Sequence, residues 1–194
     1  MEGNLLTATA SLAMEVTLKY ICKGDFVIDA TCGNGHDTMT LAKAVGATGC
    51  VLAIDLQEEA IQKTENLLTD AGIMQVLTMQ GSFVYLQHYI EKSGEDRKPS
   101  AAVFNLGYLP GGDKSLTTKA EDTLAAVQKA ISLIKVGGIV TVVMYPGHPE
   151  GKREMHMLLS WAETLPSQIY HTVYASLPNQ KNSPPQILWI TKKK

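Results

Sequence analysis

Short, continuously apolar runs alternate with segments of helical periodicity along this chain, and this alternation constrains the fold more than any other feature. Such runs are typical of strands buried on both sides, and therefore of a parallel sheet that is covered by helices on both faces. Five of these runs are predicted to be strands: residues 26–30, 50–55, 75–80, 101–105 and 139–145.

Segments with apolar residues at helical spacing separate the strands, and a further helix follows the fifth strand. These predicted helices cover residues 37–45, 58–72, 83–91, 120–135 and 154–165. Two consecutive strands, 167–176 and 186–192, then predict an antiparallel hairpin at the edge of the sheet. The expected fold is therefore α/β, with three layers and a mostly parallel seven-stranded sheet. No repeat or linker interrupts the pattern, so we expect one domain over residues 1–194.

The composition argues against several classes of protein. The formal net charge of −2 is unlike a surface that is basic throughout, although it permits a local basic patch. The three cysteines form no Cys-x-x-Cys pair, so no disulfide framework or metal site is expected, and a reducing compartment fits best. The sequence predicts neither a membrane span nor a secretory signal peptide. The basic residues that could form a patch are Lys114, Lys119, Lys152, Arg153 and Lys181.

A glycine-containing loop, DATCGNGHDT, follows the first predicted strand. In an open α/β sheet such loops bind ligands beyond the carboxyl ends of the strands, and Gly33 and Gly35 allow a close approach of the backbone. A dinucleotide fits this loop poorly, because Thr38 replaces the third glycine of G-x-G-x-x-G. In addition, the carboxylates of Asp29 and Asp37 would repel a pyrophosphate.

S-Adenosylmethionine (SAM) suits these charges better than a dinucleotide does. It has no phosphate and carries sulfonium and ammonium cations, for which Asp29 is a suitable neighbour. Asp55, at the end of the second strand, is expected to accept hydrogen bonds from the ribose hydroxyls. Because Asp55 would suit the ribose of NAD equally well, it is Asp29 with the short glycine loop that favours SAM. The alternative is that Asp29 only caps the following helix.

An asparagine ends the fourth strand in the segment FNLGYLPGGDK. Asn105 offers acceptor oxygens, Gly107 allows a sharp turn, and Tyr108 supplies an aromatic face and a hydroxyl. Acceptors of this kind can orient the nitrogen of an amine toward the methyl carbon of SAM, while an aromatic ring stacks on a base. Asn105 and Tyr108 are therefore candidate catalytic residues. A capping asparagine with a core tyrosine is the alternative interpretation.

The segment YPGHPEGK follows the fifth strand at the same edge of the sheet. Histidine side chains ordinarily titrate near neutral pH, so His148 is a candidate general base or substrate contact. The alternative is a histidine that only shapes a surface loop. Tyr145 could stack on a base or close the core. In the late hairpin loop NQKNSPP, Asn182 and Pro184 are expected to shape a stiff loop that faces the substrate.

Resemblances to known enzymes add to this interpretation. The Asn-x-x-Tyr pattern resembles the Asn-Pro-Pro-Tyr motif of amino-group methyltransferases, with Leu106 and Gly107 in place of the two prolines. The segments DATCGNGHDT, FNLGYLPGGDKS, YPGHPEGK and NQKNSPP together resemble one family of small bacterial and organellar SAM-dependent methyltransferases, over about residues 24–192. That family, formerly called rRNA methylases, is associated with N-methylation of 5-aminomethyl-(2-thio)uridine at the wobble position of tRNA.

The resemblance implies a class I SAM-methyltransferase (Rossmann-like) fold, SAM as the cofactor and the anticodon stem-loop of tRNA as the partner. It is compatible with a homodimer, and with a bacterial cytoplasm or a plant or algal plastid or mitochondrion. Together with the loop analysis it gives these candidate cofactor contacts: Asp29, Thr31, Cys32, Gly33, Asn34, Gly35, Asp37, Thr38, Asp55, Gln57, Ser82, Asn105 and Leu106. The candidate substrate contacts are Tyr108, Leu109, Pro110, Gly111, Lys114, Tyr145, His148, Asn182 and Pro184.

Three points stay open from the sequence. Family members often carry histidine where this chain has Phe83, whose ring could stack on a ligand or lie in the core. The same site could methylate rRNA or another amine instead of tRNA. A non-catalytic nucleotide-binding module would show a similar glycine loop.

Overall fold

Seven strands form one mixed sheet in the computed structural model, which describes residues 9–107 and 118–194. The strands are β1 (Phe26–Asp29), β2 (Cys50–Asp55), β3 (Val76–Gln80), β4 (Ala101–Asn105), β5 (Ile139–Met144), β6 (Tyr170–Ala175) and β7 (Gln186–Lys192). Their order across the sheet is β3-β2-β1-β4-β5-β7-β6. Strands β1 to β5 are parallel, whereas β7 is antiparallel to both β5 and β6. The predicted parallel sheet with an antiparallel C-terminal edge hairpin is confirmed.

Six α-helices and one 3₁₀ turn are found among the described residues. They are α1 (Thr9–Leu18), α2 (His36–Val45), α3 (Glu58–Asp70), the 3₁₀ turn Phe83–Tyr85, α4 (Leu86–Ser93), α5 (Ala120–Leu133) and α6 (Pro149–Ala162). Within this part of the chain, no helix has both the length and the apolar character needed to cross a membrane.

Two helices differ from the sequence-based prediction by more than one turn. Helix α1 is absent from that prediction, because its buried residues are Ala13, Met14 and Thr17, of which only Met14 is large and apolar, and so the apolar periodicity is weak. Helix α6 begins at Pro149 rather than at residue 154. Its first turn contains no large apolar residue, so periodicity does not reveal it. The turn forms because proline is favourable at a helix start and His148 caps it.

The two faces of the sheet are covered by different helices. Helices α1 and α2 pack on one face, with α3 against α2 and β3, while α4, α5 and α6 cover the other face. Strand β1 illustrates the arrangement, because Phe26 and Ile28 contact one helical layer and Val27 contacts the other. All three side chains are buried, which explains why this strand is apolar until it reaches Asp29. The three-layer architecture is therefore confirmed.

The direction of the strands brings several loops to one edge of the sheet. Strand β1 pairs with β2 on one side and with β4 on the other. The chain runs outward from β1 through β2 to β3 and then returns to β4, so the strand order reverses next to β1. Ligands of open α/β sheets bind in the crevice at such a reversal, beyond the carboxyl ends of the strands.

A buried pair of threonines attaches α1 to the sheet. The hydroxyl oxygens of Thr17 and Thr141 are 2.7 Å apart, and both residues are fully buried. The Thr17 hydroxyl also donates to the carbonyl oxygen of Ala13 at 2.7 Å. Because a hydroxyl has only one proton, Thr141 must be the donor in the pair. This contact links the first helix to the middle of β5.

We expect Thr141→Val to lower the free energy of unfolding by about 1 kcal/mol, because one buried hydrogen bond is lost. Thr17→Val should cost more, about 1–3 kcal/mol, because it leaves the Thr141 hydroxyl buried without an acceptor. The double variant should then cost less than the sum of the two. Urea denaturation of the three variants measures this coupling, and strictly additive effects would contradict the pairing.

Candidate active site

A cavity of about 1310 Å³ opens at the carboxyl edge of the sheet. It exceeds the range of about 300–1,000 Å³ that is usual for a pocket that holds one small ligand. Its walls come from the loops that follow β1 to β5 and from the first turns of α5 and α6. The space is sufficient for a cofactor with part of a second molecule beside it.

Asp29 lies behind the wall of this cavity. Its side chain is fully buried, and it accepts hydrogen bonds from the Thr38 hydroxyl at 2.6 Å and from the Thr31 backbone N–H at 3.2 Å. Burial, together with the nearby carboxylates of Asp37 and Asp55, raises the pKa of Asp29 to about 7. Asp29 therefore fixes the glycine loop from beneath, and its charge reaches a ligand only through that loop.

Gly35 is required by packing against α3. Its φ is +82°, and a Cβ atom there would lie 2.9 Å from the Cα atom of Thr64. Gly35 does not line the cavity, so its lack of a side chain serves the contact between loop and helix. Gly33 does line the cavity, and its carbonyl accepts a hydrogen bond from the Thr64 hydroxyl at 3.2 Å.

Asp55 presents its carboxylate to the cavity with both oxygens already engaged. Oδ2 accepts the Gly33 backbone N–H at 3.0 Å, and Oδ1 accepts the Gln57 backbone N–H at 3.0 Å. Each carboxylate oxygen can accept a second hydrogen bond, so Asp55 can still accept from ribose hydroxyls. The two backbone bonds hold the carboxylate in one orientation.

Asn105 is the centre of a chain of three hydrogen-bonded side chains. Its Oδ1 accepts from the Tyr145 hydroxyl at 2.8 Å, and its Nδ2 donates to Oδ2 of Asp37 at 3.3 Å. Its backbone N–H donates to the Thr31 hydroxyl oxygen at 2.7 Å. An ionised carboxylate only accepts hydrogen bonds, so Asp37 requires the amide nitrogen, not the oxygen, to point toward it. Asp37, Asn105 and Tyr145 all line the cavity.

Burial alters the acidity of two of these groups. It raises the pKa of the Asp37 carboxyl, while the hydrogen bond from Asn105 and the neighbouring His36 act in the opposite direction. Burial and the nearby Asp37 carboxylate also raise the pKa of the Tyr145 hydroxyl, which therefore stays protonated and donates to Asn105. A cation in the cavity would favour the ionised carboxylates.

His148 caps helix α6 and also lines the cavity. Its Nδ1 accepts the backbone N–H of Gly151 at 3.1 Å. A neutral imidazole with Nδ1 as acceptor carries its proton on Nε2, so His148 is a hydrogen-bond donor in this arrangement. The Nε2 atom is buried, and no partner for it occurs within residues 9–107 and 118–194. Gly151 is needed here, because a Cβ atom would overlap the carbonyl oxygen of Tyr145.

Two further residues of the cavity are less suited to a catalytic role. Cys32 is buried, and burial followed by the Asp29 charge raises the pKa of its thiol, so a thiolate nucleophile is disfavoured. Phe83 contacts Phe104 edge to face, with ring centroids 5.9 Å apart, and still lines the cavity. Both interpretations of Phe83 are therefore partly met, because one side of the ring packs in the core and the residue also faces the ligand space.

The structure brings most of the candidate residues to one cavity. Those that line it are Thr31, Cys32, Gly33, Asn34, Asp37, Asp55, Gln57, Ser82, Asn105, Leu106, Tyr145 and His148. Asp29, Gly35 and Thr38 lie behind the wall, and Asn182 and Pro184 lie in the β6–β7 loop without lining the cavity. The candidates that lie outside the described residues are Tyr108, Leu109, Pro110, Gly111 and Lys114.

The sequence analysis did not identify part of the outer wall. Its additional residues are Ala30, His36, Leu56, Gly81, Gly107, Thr118, Lys119, Asp122, Gly147, Pro149, Glu150 and Ser183. Several belong to the first turns of α5 and α6. A helix start directly after a strand on the ligand edge is the signal that could have found them, but the start of α6 was placed too late in the prediction.

Comparison with known proteins gives a family for this chain. Residues 51–191 match the family described as "Putative rRNA methylase", and residues 3–84 match that of protein-L-isoaspartate(D-aspartate) O-methyltransferase. The chain is 42% identical over 156 residues to "tRNA (mnm(5)s(2)U34)-methyltransferase, chloroplastic" of Arabidopsis thaliana. That alignment covers 75% of this chain but only 56% of the Arabidopsis protein, so the chain spans little more than half of its relative's length.

Solved structures agree with this assignment. A "putative rRNA-methylase" from Clostridium thermocellum is 35% identical, with a TM-score of 0.89 and coverage of 95% of this chain and 97% of that one. A "putative methyltransferase" from Streptococcus mutans in complex with S-adenosylhomocysteine (SAH) is 29% identical, with a TM-score of 0.83 and coverage of 95% and 98%.

The fold is that of the Rossmann-like SAM-dependent methyltransferases, for which SAM is the expected cofactor. Within that class, this chain belongs to the family described as "Putative rRNA methylase". The residues of the cavity fit SAM, because Asp37 and Asp55 offer carboxylates to a cation and to ribose hydroxyls while no cluster of basic side chains awaits a pyrophosphate among the described residues of the glycine loop.

We expect Gly35→Ala to lower the free energy of unfolding by about 1–3 kcal/mol more than Gly72→Ala does. Both glycines have positive φ, +82° and +66°, so the backbone strain is similar. A Cβ atom at Gly72 would meet nothing within 4 Å, whereas at Gly35 it would meet the backbone of α3. Denaturant unfolding of both variants measures the difference, and equal losses would show that the contact with α3 is not limiting.

The raised pKa of Asp29 predicts a pH-dependent preference for the cationic cofactor. A bound cation favours the ionised carboxylate and lowers its pKa, so affinity for SAM should rise as pH rises through the free protein's pKa of about 7. SAH lacks the sulfonium charge. We expect the SAM-to-SAH affinity ratio to increase up to about tenfold between about pH 6 and about pH 8.

Calorimetric titrations of the wild type and of Asp29→Asn measure this preference. The variant removes the titrating group while keeping a side chain of the same shape, so its affinity ratio should change much less with pH. The same pH slope in both proteins would mean that Asp29 does not sense the cofactor's charge.

Proposed function

We propose that this chain transfers the methyl group of SAM to the exocyclic amine of 5-aminomethyl-(2-thio)uridine at the wobble position of tRNA. The observation that carries the proposal is the hydrogen-bonded chain Tyr145–Asn105–Asp37, which places polar side chains on the cavity wall at the carboxyl end of β4. The name of the Arabidopsis relative supports this substrate, whereas the description of the family supports only an RNA substrate.

The half of the cavity near β2 and β3 is suited to the cofactor. Asp55 is held by two backbone N–H groups in an orientation that can accept ribose hydroxyls. Ser82 and Phe83, directly after β3, offer a polar group and an aromatic ring for the adenine. When bound, SAM supplies an electrophilic methyl group carried on a sulfonium.

The half of the cavity near β5 and α6 is suited to the substrate nucleotide. Tyr145 and His148 line it, and their rings can contact the base of the substrate nucleotide. Anticodon-loop bases are unpaired, so the enzyme need not extract the base from a duplex. Ser183 of the β6–β7 loop and Lys119 at the start of α5 lie on the same wall and can contact the RNA around that base.

The remaining parts of the proposal concern the wider protein. Tyr108, Leu109, Pro110, Gly111 and Lys114 are proposed as further substrate contacts, as are Asn182 and Pro184. We also propose a single methyltransferase domain over residues 1–194, the tRNA anticodon stem-loop as partner, and a homodimer that enlarges the RNA-binding surface. A plastid or mitochondrial location is proposed for a plant or algal source, and the cytoplasm for a bacterial one.

The proposal is tested by incubating the protein with SAM and tRNA that carries 5-aminomethyluridine at the wobble position. Nucleoside mass spectrometry should show the gain of one CH₂ group on that nucleoside and none on tRNA without the aminomethyl group. Methylation of rRNA instead would support the substrate in the description of the family rather than the substrate in the name of the Arabidopsis relative. Tight binding of NAD in place of SAM would favour a non-catalytic nucleotide-binding module.

We expect Asn105→Ala to lower kcat/KM in this assay by about 100-fold or more, because both the Tyr145 and Asp37 side chains lose their common partner and the amine is no longer positioned. Asn66→Ala, on the exposed side of α3, is the matched control and should retain activity. Undiminished turnover by Asn105→Ala would remove Asn105 from the reaction.

A further inference from the structure

Asp37 differs from the other two carboxylates of the site in its remaining capacity to accept a hydrogen bond. Asp29 is fully buried, and Asp55 has a backbone N–H on each oxygen. Asp37 lines the cavity and uses only Oδ2, which accepts from Asn105. Within residues 9–107 and 118–194, no donor contacts its Oδ1. An acceptor oxygen is therefore available at the corner where β1 and β4 end.

Asn105 has less capacity to accept further hydrogen bonds than its position at the end of β4 indicates. Its Oδ1 already accepts the Tyr145 hydroxyl, and its Nδ2 points to Asp37. The amide can still receive one further hydrogen bond on Oδ1, but it cannot take up a proton at ordinary pH. A site that only orients the amine would leave it in its charged form.

The proposed substrate must lose a proton before it can react. An aminomethyl group resembles a lysine side chain, whose pKa is about 10, so it arrives as an ammonium ion without a lone pair. Attack on a methyl carbon requires that lone pair. A proton acceptor within the cavity is therefore needed if the reaction is to proceed near neutral pH.

We propose that Oδ1 of Asp37 accepts a proton from the substrate ammonium group, with Asn105 and Tyr145 as positioning residues. This inference rests on the proposed function. Asp37 takes one proton, and the electron pair of that N–H bond stays on nitrogen. The pair forms the new N–C bond while the C–S bond breaks, with its electrons remaining on sulfur to give neutral SAH. The product keeps its two N–H protons as a secondary ammonium ion, and Asp37 releases its proton to solvent.

The other groups of the site are less suited to this step. His148 carries its proton on Nε2 because Nδ1 is held by Gly151. Tyr145 donates its proton to Asn105, and burial raises the pKa of its hydroxyl. The thiol of Cys32 is likewise kept protonated by burial.

The surroundings of Asp37 increase its basicity. Burial raises the pKa of its carboxyl, which narrows the difference from the pKa of the ammonium group and so favours proton transfer. The charged or titratable groups near it are His36 beside it, Asp29 behind the loop and Tyr145 at the end of β5.

The test uses the full chain, SAM and tRNA bearing the aminomethyl group, in single-turnover measurements over a range of pH. With an internal base, the wild-type rate should be nearly flat above the pKa of Asp37, well below the pKa of the amine. Asp37→Asn should lower the rate at neutral pH by about 100-fold or more even at saturating SAM. Its remaining rate should rise about tenfold per pH unit, because only the free amine then reacts.

Asp70→Asn, on an exposed carboxylate at the end of α3, is the matched control. Calorimetry measures the affinity of Asp37→Asn for SAM, so that its rate can be compared with the wild-type rate at saturating SAM. If saturating SAM restores the rate of Asp37→Asn with the wild-type pH profile, Asp37 only binds the cofactor, and the inference is overturned while the proposed function stands. Should Asp37→Asn fail to fold, the wild-type profile decides, because a tenfold rise per unit up to the amine's pKa excludes an internal base. A wild type that methylates no tRNA overturns both proposals.

Discussion

Asp29 is buried at the carboxyl end of β1 with two other carboxylates nearby, and the cost of ionising it there is the constraint on which the rest of the site depends. Burial and the charges of Asp37 and Asp55 make ionised Asp29 costly, as its raised pKa of about 7 indicates. The Thr38 hydroxyl and the Thr31 N–H offset part of that cost. A bound cationic cofactor would offset the remaining cost of ionising Asp29. The same negative charge that lowers the stability of the free protein would therefore strengthen the binding of such a cofactor.

The same residue type takes three different roles because its surroundings differ. Asp29, enclosed by the loop, fixes the backbone of the glycine turn. Asp55, held by two backbone N–H groups, is an acceptor in a fixed orientation. Asp37 alone of the three keeps an oxygen without a donor among the described residues, and its position next to Asn105 directs that oxygen to the substrate side in our proposal. Pairs of acids whose environments separate their properties are a common device of active sites.

The fold and the site are also coupled at the junction of β5 and α6. The backbone N–H of Gly151, in the first turn of α6, donates to Nδ1 of His148, while the absence of a Cβ atom lets this turn pack on the carbonyl of Tyr145. This one hydrogen bond thus caps α6 and fixes the tautomer of His148 in the cavity. On the other side of the cavity, Gly35 allows the loop after β1 to pack against α3. Neither glycine lines the cavity, but each allows a close packing contact next to residues that do.

The sequence by itself determined the order of the strands, because β1, β2, β4 and β5 are buried on both sides and carry continuous apolar runs. It also placed Asp29, Asp55 and Asn105 at strand ends on one edge, since parallel strands end together. It could not reveal α1, whose buried face has Met14 as its one large apolar side chain, or the start of α6. Only the tertiary structure decided which carboxylate is enclosed, which amide oxygen is already used and which nitrogen of His148 accepts, because hydrogen-bond partners come from segments far apart in the chain.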